Sequence, residues 1–352
     1  MSNINSPAFN VRERTYCGPL SNYTFVNSEI GNLWEWVKAI SNKDKVYFID
    51  NLWWDSVLPS DNYDCYVVGV FGEFANTKFL EQLNQRCTNS AGYVLTSIKL
   101  DPNKYGNLTI LPYEHLQQYK TFFPEAKYTP LSQRHNLHSI LTRRVDFHKT
   151  IFTAALLNKC PTVDYSFCFF ASKHFDQEYF YENYKNYLNI DISQFTGEID
   201  QLLTQGAKIY ADAGQWSIEI PAYQDTVLHW VNEAIFLSID ANPTGYLTEK
   251  TIKPIVSGTP FILLSQKNSY ARLARLGFDT YSQLFDLDWD TAQDHERASS
   301  ILSLMDSCSQ GIDLKIAQEI ADYNYNHFYN HLDQTVAVVN QQSQDLLLEN
   351  LA

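Results

Sequence analysis

The segment 248–253, Thr-Glu-Lys-Thr-Ile-Lys, holds the residues whose types and spacing point most clearly to chemistry. Thr248 is suited to cap a helix that begins at Glu249 and ends near Gly258, before an apolar strand. Free amides, the positive end of the helix dipole and two lysines in the first two turns would together favour a phosphate or diphosphate. Glu249 would accept hydrogen bonds from ribose hydroxyls. The alternative is an ordinary surface helix with solvated Glu and Lys side chains.

A second candidate site is a run of basic residues around a predicted strand at His138–Arg144. It contains seven side chains, namely Arg134, His135, His138, Arg143, Arg144, His148 and Lys149. Such a run is suited either to nucleic acid or to the diphosphate of a smaller ligand. We favour the diphosphate.

Two patterns have the spacing of metal ligands. Asp286-Leu287-Asp288 has the Asp-x-Asp form that holds a divalent cation on a diphosphate, but it comes late in the chain, where a solvated acidic turn is favoured. His327 and His331 are spaced as zinc ligands on one helix face would be, yet no third ligand with a motif's spacing is near. We expect no metal in the site.

Motifs of several enzyme classes are absent. The sequence has no Gly-x-x-x-x-Gly-Lys-Ser/Thr loop and no Gly-x-Gly-x-x-Gly, which argues against kinase, GTPase and dehydrogenase functions. It has no Gly-x-Ser-x-Gly elbow for a serine nucleophile. Its six cysteines show no C-x-x-C spacing and are expected to be free thiols in a reducing compartment.

The elements that must position these residues are those of an α/β fold, because short apolar runs alternate with helix-length segments. The predicted strands are Lys45–Asp50, Tyr63–Phe71, Gly92–Ile98, Leu108–Leu111, His138–Arg144, Ser166–Phe170, Lys208–Tyr210, Thr226–Val231 and Phe261–Leu264. The predicted helices are Asn76–Arg86, Glu114–Phe123, Asp146–Lys159 and the region from Thr291 onward.

Length and charge indicate two domains. The chain has 352 residues and a net charge of −14, of which residues 1–150 carry +1 and the remainder −15. Pro124 and Pro130 interrupt the pattern of elements. We therefore expect an N-terminal domain over 1–125, a second domain over 135–330 and a C-terminal helix over 331–352. The acidic total argues against a protein covered by nucleic acid or anionic membrane.

Targeting signals are not evident. The N-terminal residues lack the basic and apolar stretches of a signal peptide, and no run approaches the roughly 18 apolar residues of a membrane span. The expected location is the cytoplasm, or the host cytoplasm if the protein is viral.

The segment 245–264 resembles the donor-binding motif of the fucosyltransferase-like glycosyltransferases of family 10, in which an aromatic or apolar residue precedes Thr-Glu-Lys and a helix. It is still more similar to phage and bacterial relatives of the form Thr-Glu-Lys-Thr-x-Lys-Pro-Ile, followed by Pro-Phe-Ile. Those relatives continue with Leu-x-x-x-Gly-Phe-x-Thr, which matches the stretch from Leu273 to Thr280. Glu233 stands where they carry an upstream Glu.

A looser similarity covers the start of the second predicted domain. The relatives have a strand, an Arg-rich turn and His-Arg at the start of a helix, and this chain has Arg143, Arg144, His148 and Lys149 there. Lys149 replaces the Arg, so it keeps the positive charge but loses the planar fork that binds a diphosphate through two nitrogens. The resemblance is specific over 226–285, looser over 138–170 and architectural over 1–125.

The resemblance implies a GT-B architecture, in which two Rossmann-like domains face each other across a cleft and the second binds the nucleotide-sugar. The reaction it implies inverts the anomeric centre, needs no metal and uses a carboxylate of the first domain as base. The nucleotide-sugar is a co-substrate, and no other cofactor is expected. The implied donor-binding residues are Tyr246, Thr248, Glu249, Lys250, Lys253, Glu233, Arg143, Arg144 and Lys149.

The candidate for the base is Glu73, because it directly follows an apolar strand and ligands of α/β sheets bind beyond the carboxyl ends of the strands. The neighbouring Gly72 would let a substrate approach the backbone closely. A solvated loop carboxylate is an equal alternative for Glu73. Asp50 and Asp55, after the first strand, are weaker rivals.

The function expected from the sequence is transfer of a sugar from a nucleotide-sugar to an acceptor hydroxyl. The acceptor is a glycan or a modified (hydroxymethylated) DNA base. The alternative is a non-catalytic nucleotide- or carbohydrate-binding protein of the same fold, which Lys149 and the two readings of Glu73 leave open.

Overall fold

The chain is a mixed α/β protein with two sheets built largely from parallel strands, as seen in a computed structural model. The structure describes residues 15–18, 46–49, 58, 60, 62–70, 77–96, 100, 103–114, 116–142, 145–160, 162–167, 175–184, 187–205, 221–238 and 245–351. None of the described helices combines the length and apolarity needed to cross a membrane.

Backbone contacts divide the chain into two compact units. The first comprises Met1–Thr121, Asp240–Asn242 and Asp333–Ala352, and the second comprises Phe122–Ile239 and Pro243–Leu332. The segment 248–253 and the basic run around His138 both belong to the second unit. The domain bounds taken from the sequence stay a prediction.

The first unit contains a five-stranded sheet in which the strands lie in chain order. Its strands are β1 (Thr15–Gly18), β2 (Val46–Ile49), β3 (Cys65–Val70), β4 (Ala91–Thr96) and β5 (Thr109–Pro112). β1 pairs antiparallel with β2, and the other pairs are parallel. Every residue of β3 is buried, which explains its nearly continuous apolar run. Helix α1 (Thr77–Arg86) joins β3 to β4 and buries Phe79, Leu80 and Leu83.

The second unit contains a four-stranded sheet that is parallel throughout. Its strands are β6 (Asn136–Thr142), β7 (Asp164–Phe167), β8 (Thr226–Asn232) and β9 (Phe261–Leu264), in the order β7-β6-β8-β9. β7 thus lies on one side of β6, and β8 and then β9 lie on the other. β8 and β9 are buried at every residue.

The remaining helices follow in chain order. They are α2 (Phe147–Lys159), α3 (Gln177–Asn183), α4 (Thr196–Gln205), α5 (Pro221–Gln224), α6 (Glu249–Val256), α7 (Ser269–Arg275), α8 (Asp294–Cys308), α9 (Leu314–Asn330) and α10 (Leu332–Leu351). Helix α10 from Asp333 onward groups with the first unit, and the other eight lie in the second.

Most strands predicted from apolar runs are confirmed to within about two residues. The strand at Phe261–Leu264 has the predicted bounds, and α2 begins one residue after Asp146, which caps it. The helix predicted around Glu114–Phe123 is present as a shorter 3-10 helix at Leu116–Thr121. A segment this short closes more readily with the tighter 3-10 bonds. The strand predicted at Lys208–Tyr210 lies outside the described residues.

Candidate functional site

The order of the second sheet defines where a ligand crevice is expected. Strand order reverses between β6 and β8, and ligands of open parallel sheets bind beyond the carboxyl ends of the strands at such a switch point. The residues that follow these two strands meet there, because His148 Nε2 lies 3.1 Å from the backbone oxygen of Glu233. We call this end of the sheet the C-terminal edge.

Asp146 organises the side chains that follow β6. It caps α2 by accepting from the backbone N–H of Lys149, and its two carboxylate oxygens lie 2.8 Å from His148 Nδ1 and 3.0 Å from Lys149 Nζ. Burial alone would raise the pKa of Asp146, but the charges and hydrogen bonds of His148 and Lys149 outweigh it and hold that pKa below its ordinary value. Asp146 is therefore an anion that fixes the side chains of His148 and Lys149.

His148 lies between two hydrogen-bond acceptors. Its Nδ1 faces the Asp146 carboxylate and its Nε2 faces the carbonyl of Glu233. A proton on either ring nitrogen therefore has an acceptor within hydrogen-bond distance. The ring also stacks on Phe236 at a centroid distance of 5.7 Å. His148 thus joins the end of β6 to the end of β8.

Glu233 is a buried carboxylate, and the groups that donate hydrogen bonds to it are neutral. One oxygen accepts from Thr248 N at 3.0 Å and from Thr251 Oγ1, and the other accepts from Thr248 Oγ1 at 2.7 Å and Ala234 N at 3.2 Å. The side chain has no exposed surface. Glu233 therefore anchors the start of α6 on the end of β8, and it positions the segment 248–253 rather than facing a ligand.

Helix α6 begins where the sequence predicted, with Thr248 as its cap. The first backbone amides of α6 were expected to donate to a phosphate, but in the structure they already have acceptors within the protein. Lys250 N donates to Thr248 Oγ1, Thr251 N and Ile252 N donate to Thr248 O, and Glu249 N donates to its own carboxylate. A helix N-terminus whose amides already have acceptors keeps its positive dipole end but offers a ligand few N–H donors.

The charged side chains of α6 form the second half of the site. Glu249 Oε1 lies 2.9 Å from Lys250 Nζ, and Lys253 Nζ lies 5.9 Å from the ring centroid of Tyr223. Burial would raise the pKa of Glu249, but Lys250 and the other nearby positive groups hold it below its ordinary value. Glu249 and Lys253 are buried, whereas the Lys250 side chain is 30% exposed.

The ionisable groups of this edge form one connected set, which we call the ionic network. Its members are Asp146, His148, Lys149, Glu233, Glu249, Lys250 and Lys253. The charges of its three carboxylates and three ammonium groups cancel. The network is therefore close to neutral and holds both acceptors and cations at the switch point.

A buried arginine supports the loops that follow β8 and β9. Arg297 donates to Phe236 O, to Ser265 O at 3.0 Å and to Asp294 at 2.9 Å, and its guanidinium lies 4.5 Å from the Phe236 ring centroid. Asp294 in turn accepts from Ser238 N. The sequence analysis missed Arg297, since it stands in an ordinary helical segment with no motif around it.

The basic run predicted as one cluster is divided between the two ends of the sheet, which corrects that prediction. Arg134 precedes β6 and donates to Thr226 O, Ser257 O and Gly258 O, so it lies at the opposite end from Lys149. His138 is buried within β6, and burial lowers its pKa to about 4. His135 is exposed and pairs with Asp225 at 2.8 Å.

Several predicted site residues have no described position. Glu73, its rivals Asp50 and Asp55, and Arg143 and Arg144 lie outside the described residues. Their roles stay predictions. Tyr246 is described and lies buried two residues before the cap of α6.

The two patterns with metal-ligand spacing are occupied by other contacts. Within the Asp-x-Asp pattern, Asp286 Oδ1 accepts from the backbone N–H of Asp288 at 3.1 Å. His327 Nε2 lies 2.7 Å from Leu276 O. Among the described residues, no three His, Cys, Asp or Glu side chains are grouped so that they could hold a metal ion.

Comparisons of the chain with models of protein families, with curated proteins and with solved structures find no match in any of the three.

Proposed function

We propose that this protein is a nucleotide-sugar-dependent glycosyltransferase whose donor binds at the C-terminal edge of the second sheet. The observation that carries the proposal is the capped segment 248–253, fixed by Glu233 at the switch point of a parallel sheet. Nucleotides bind at this place in open α/β sheets. A fucosyltransferase-like protein of GT-B architecture with two Rossmann-like domains is the class we propose.

The donor is oriented by the two halves of the ionic network. Glu249 is the acceptor for ribose hydroxyls, and its lowered pKa keeps it ionised for that purpose. The diphosphate lies between Lys250, the most exposed ammonium of the network, and Lys149 at the start of α2. Because the network is near neutral, Arg143 and Arg144 supply the additional positive charge that a diphosphate requires. Lys253, whose Nζ lies 5.9 Å from the Tyr223 ring centroid, adds a further positive charge on α6.

The proposed reaction is a single displacement at the anomeric carbon. The acceptor oxygen forms the new glycosidic bond, Glu73 takes its proton, and the bond to the β-phosphate oxygen breaks. The nucleoside diphosphate leaves with an additional negative charge, which the lysines and arginines neutralise. This route inverts the anomeric centre and assigns no step to a metal.

The acceptor is a glycan hydroxyl or the hydroxymethyl group of a modified DNA base. The two differ in their expected response to salt. Contacts to DNA phosphates release counterions, so transfer to duplex DNA would fall steeply as salt rises, whereas transfer to a neutral glycan would change little.

The test is a transfer assay with the radiolabelled sugar conjugates of UDP, GDP and ADP, using a panel of glycans and hydroxymethylated duplex DNA as acceptors. Lys250→Ala and Glu249→Ala are expected to lower transfer by about 100-fold or more. Lys315→Ala is the matched control, because Lys315 is also the second residue of a capped helix, α9, but is exposed and away from the sheet edge.

Two outcomes would contradict the proposal. Transfer that is unchanged in Lys250→Ala would remove the segment 248–253 from the reaction. Tight nucleotide binding without transfer to any acceptor would favour the non-catalytic binding protein of the same fold.

A further inference from the structure

Five aromatic side chains gather at the start of α2, directly beside the ionic network. The Phe147 ring lies 5.1 Å from that of Phe175, 5.9 Å from Tyr179, 5.7 Å from Phe180 and 5.2 Å from Tyr187, measured between ring centroids. We call these five residues the aromatic cluster. They come from α2, from α3 and from the loops around α3, all beyond the carboxyl ends of β6 and β7.

The cluster has a buried floor and an accessible rim. Phe175 and Phe180 are buried, Phe147 and Tyr187 are half-buried, and Tyr179 is 42% exposed. Tyr179 is thus the most accessible ring, with Phe147 and Tyr187 partly accessible beside it, at the end of the sheet where the ligand crevice is expected. Tyr179 and Tyr187 also carry hydroxyl groups.

Tyr187 connects the cluster to the ionic network. Its hydroxyl lies 3.4 Å from His148 Nδ1, next to the Asp146 carboxylate. Burial raises the pKa of Tyr187 far above its ordinary value, and the negative charge of Asp146 raises it further. Tyr187 therefore keeps its proton and remains a neutral donor beside the place proposed for the diphosphate.

The order of the chemical groups along a nucleotide-sugar determines which of them would contact the aromatic cluster. The proposed function places the ribose at Glu249 on α6 and the diphosphate between Lys250 and Lys149. The cluster is built from α2, α3 and the loops around α3, which follow β6 and β7, whereas α6 lies between β8 and β9 in the chain. In a nucleotide-sugar, the ribose is attached to one end of the diphosphate and the transferred sugar to the other.

We propose that the aromatic cluster is the subsite for the pyranose ring of the donor, with Tyr179 and Phe147 against its C–H face and the Tyr187 hydroxyl near its oxygens. This inference rests on the proposed function. A pyranose has an apolar face and a rim of hydroxyls, and Tyr offers a ring with a polar tip, so the two surfaces are complementary.

The experiment compares the affinity of a nucleoside diphosphate with that of its sugar conjugate, using UDP, GDP and ADP and their hexose conjugates in isothermal titration. Tyr179→Ala is expected to weaken the sugar conjugate about five-fold and leave the free diphosphate unchanged. Tyr187→Phe tests the hydroxyl in the same way. Tyr323→Ala is the control, because Tyr323 is 52% exposed on α9, away from this edge.

The outcomes separate this inference from the proposed function. A loss confined to the sugar conjugate supports the subsite. If Tyr179→Ala weakens the free diphosphate and the conjugate equally, or weakens neither, the diphosphate site stands and the sugar subsite is wrong. If no nucleotide binds the native protein, the proposed function and the subsite both fail.

Discussion

The two ends of the second sheet handle buried charge in opposite ways. At the N-terminal end, Arg134 is surrounded by neutral acceptors, namely the backbone oxygens of Thr129, Tyr223, Thr226, Ser257 and Gly258 and the hydroxyl of Thr259. At the C-terminal edge, two carboxylates pair with lysines, Asp146 with Lys149 and Glu249 with Lys250. Burial lowers the pKa of Arg134 to about 10, whereas partner charges depress the pKa values of Asp146 and Glu249.

This difference separates a charge whose donors are all used within the protein from charges that are partly accessible. Arg134 uses its nitrogens to hold the end of α6 and the starts of β8 and β9, so a ligand would find no donor left there. The C-terminal edge keeps Lys250 partly exposed and places an accessible aromatic rim next to the charges. A site that binds a charged ligand needs both features.

The largest expected effect on stability is from Arg134→Ala. It leaves several buried carbonyls without a donor, which we expect to lower the free energy of unfolding by roughly 4 kcal/mol. Urea unfolding followed by circular dichroism measures this, with the exposed Arg275→Ala as control. Nucleotide affinity of the folded fraction should not change. A loss below about 1 kcal/mol would contradict the structural role of Arg134.

A smaller but still large effect is expected from Glu233→Ala, which orphans the donors of Thr248, Thr251 and Ala234. We expect a loss of about 3 kcal/mol, and about half of that for Glu233→Gln, which keeps one acceptor oxygen. Both variants should also weaken nucleotide binding by displacing α6. The same unfolding assay, with titration calorimetry, tests this, and normal affinity in Glu233→Ala would show that Glu233 does not position the segment.

The smallest effect concerns pH. Because the pKa of Asp146 is depressed in the folded protein, its charge adds stability above its ordinary pKa, and this stability is lost as pH falls through the folded value. The native protein should therefore exceed Asp146→Asn in stability above about pH 5, with the difference shrinking toward pH 2. Asn keeps the helix cap.

Asp313→Asn is the matched control for that series, because Asp313 caps α9 at the surface by accepting from Lys315 N and Ile316 N. Melting temperatures across the pH range provide the readout. A difference between native and Asp146→Asn that does not vary with pH would contradict the ion pairs of Asp146.

The elements of the second sheet could be predicted from the sequence wherever the local signal was strong. Thr248 caps α6 and Phe261–Leu264 is a strand, as predicted, because a capping residue, a helix-ending Gly258 with φ of +56° and an apolar run act over a few residues. The short helices α3, α4 and α7 were not predicted, since their packing depends on partners far along the chain.

The grouping of side chains was harder to predict. Arg134 and Lys149 are close in sequence, but the seven residues of β6 stand between them and span about 20 Å. The contact of His148 with Glu233 and the stacking of Phe147 with Tyr187 depend on strand order, which no local pattern encodes. Sequence therefore indicated the residues of α6 but not the partners that fix them.

The measurement that tests the central claim most directly is a thermal-shift screen against UDP, GDP, ADP, CMP and their common sugar conjugates. A ligand at 100 times its dissociation constant adds about 2.7 kcal/mol of stability, which gives a clear shift. The account predicts a shift with one nucleotide that is lost in Lys250→Ala and retained in Lys315→Ala. No shift with any of these ligands, or an equal shift in Lys250→Ala, would contradict a nucleotide site at the C-terminal edge.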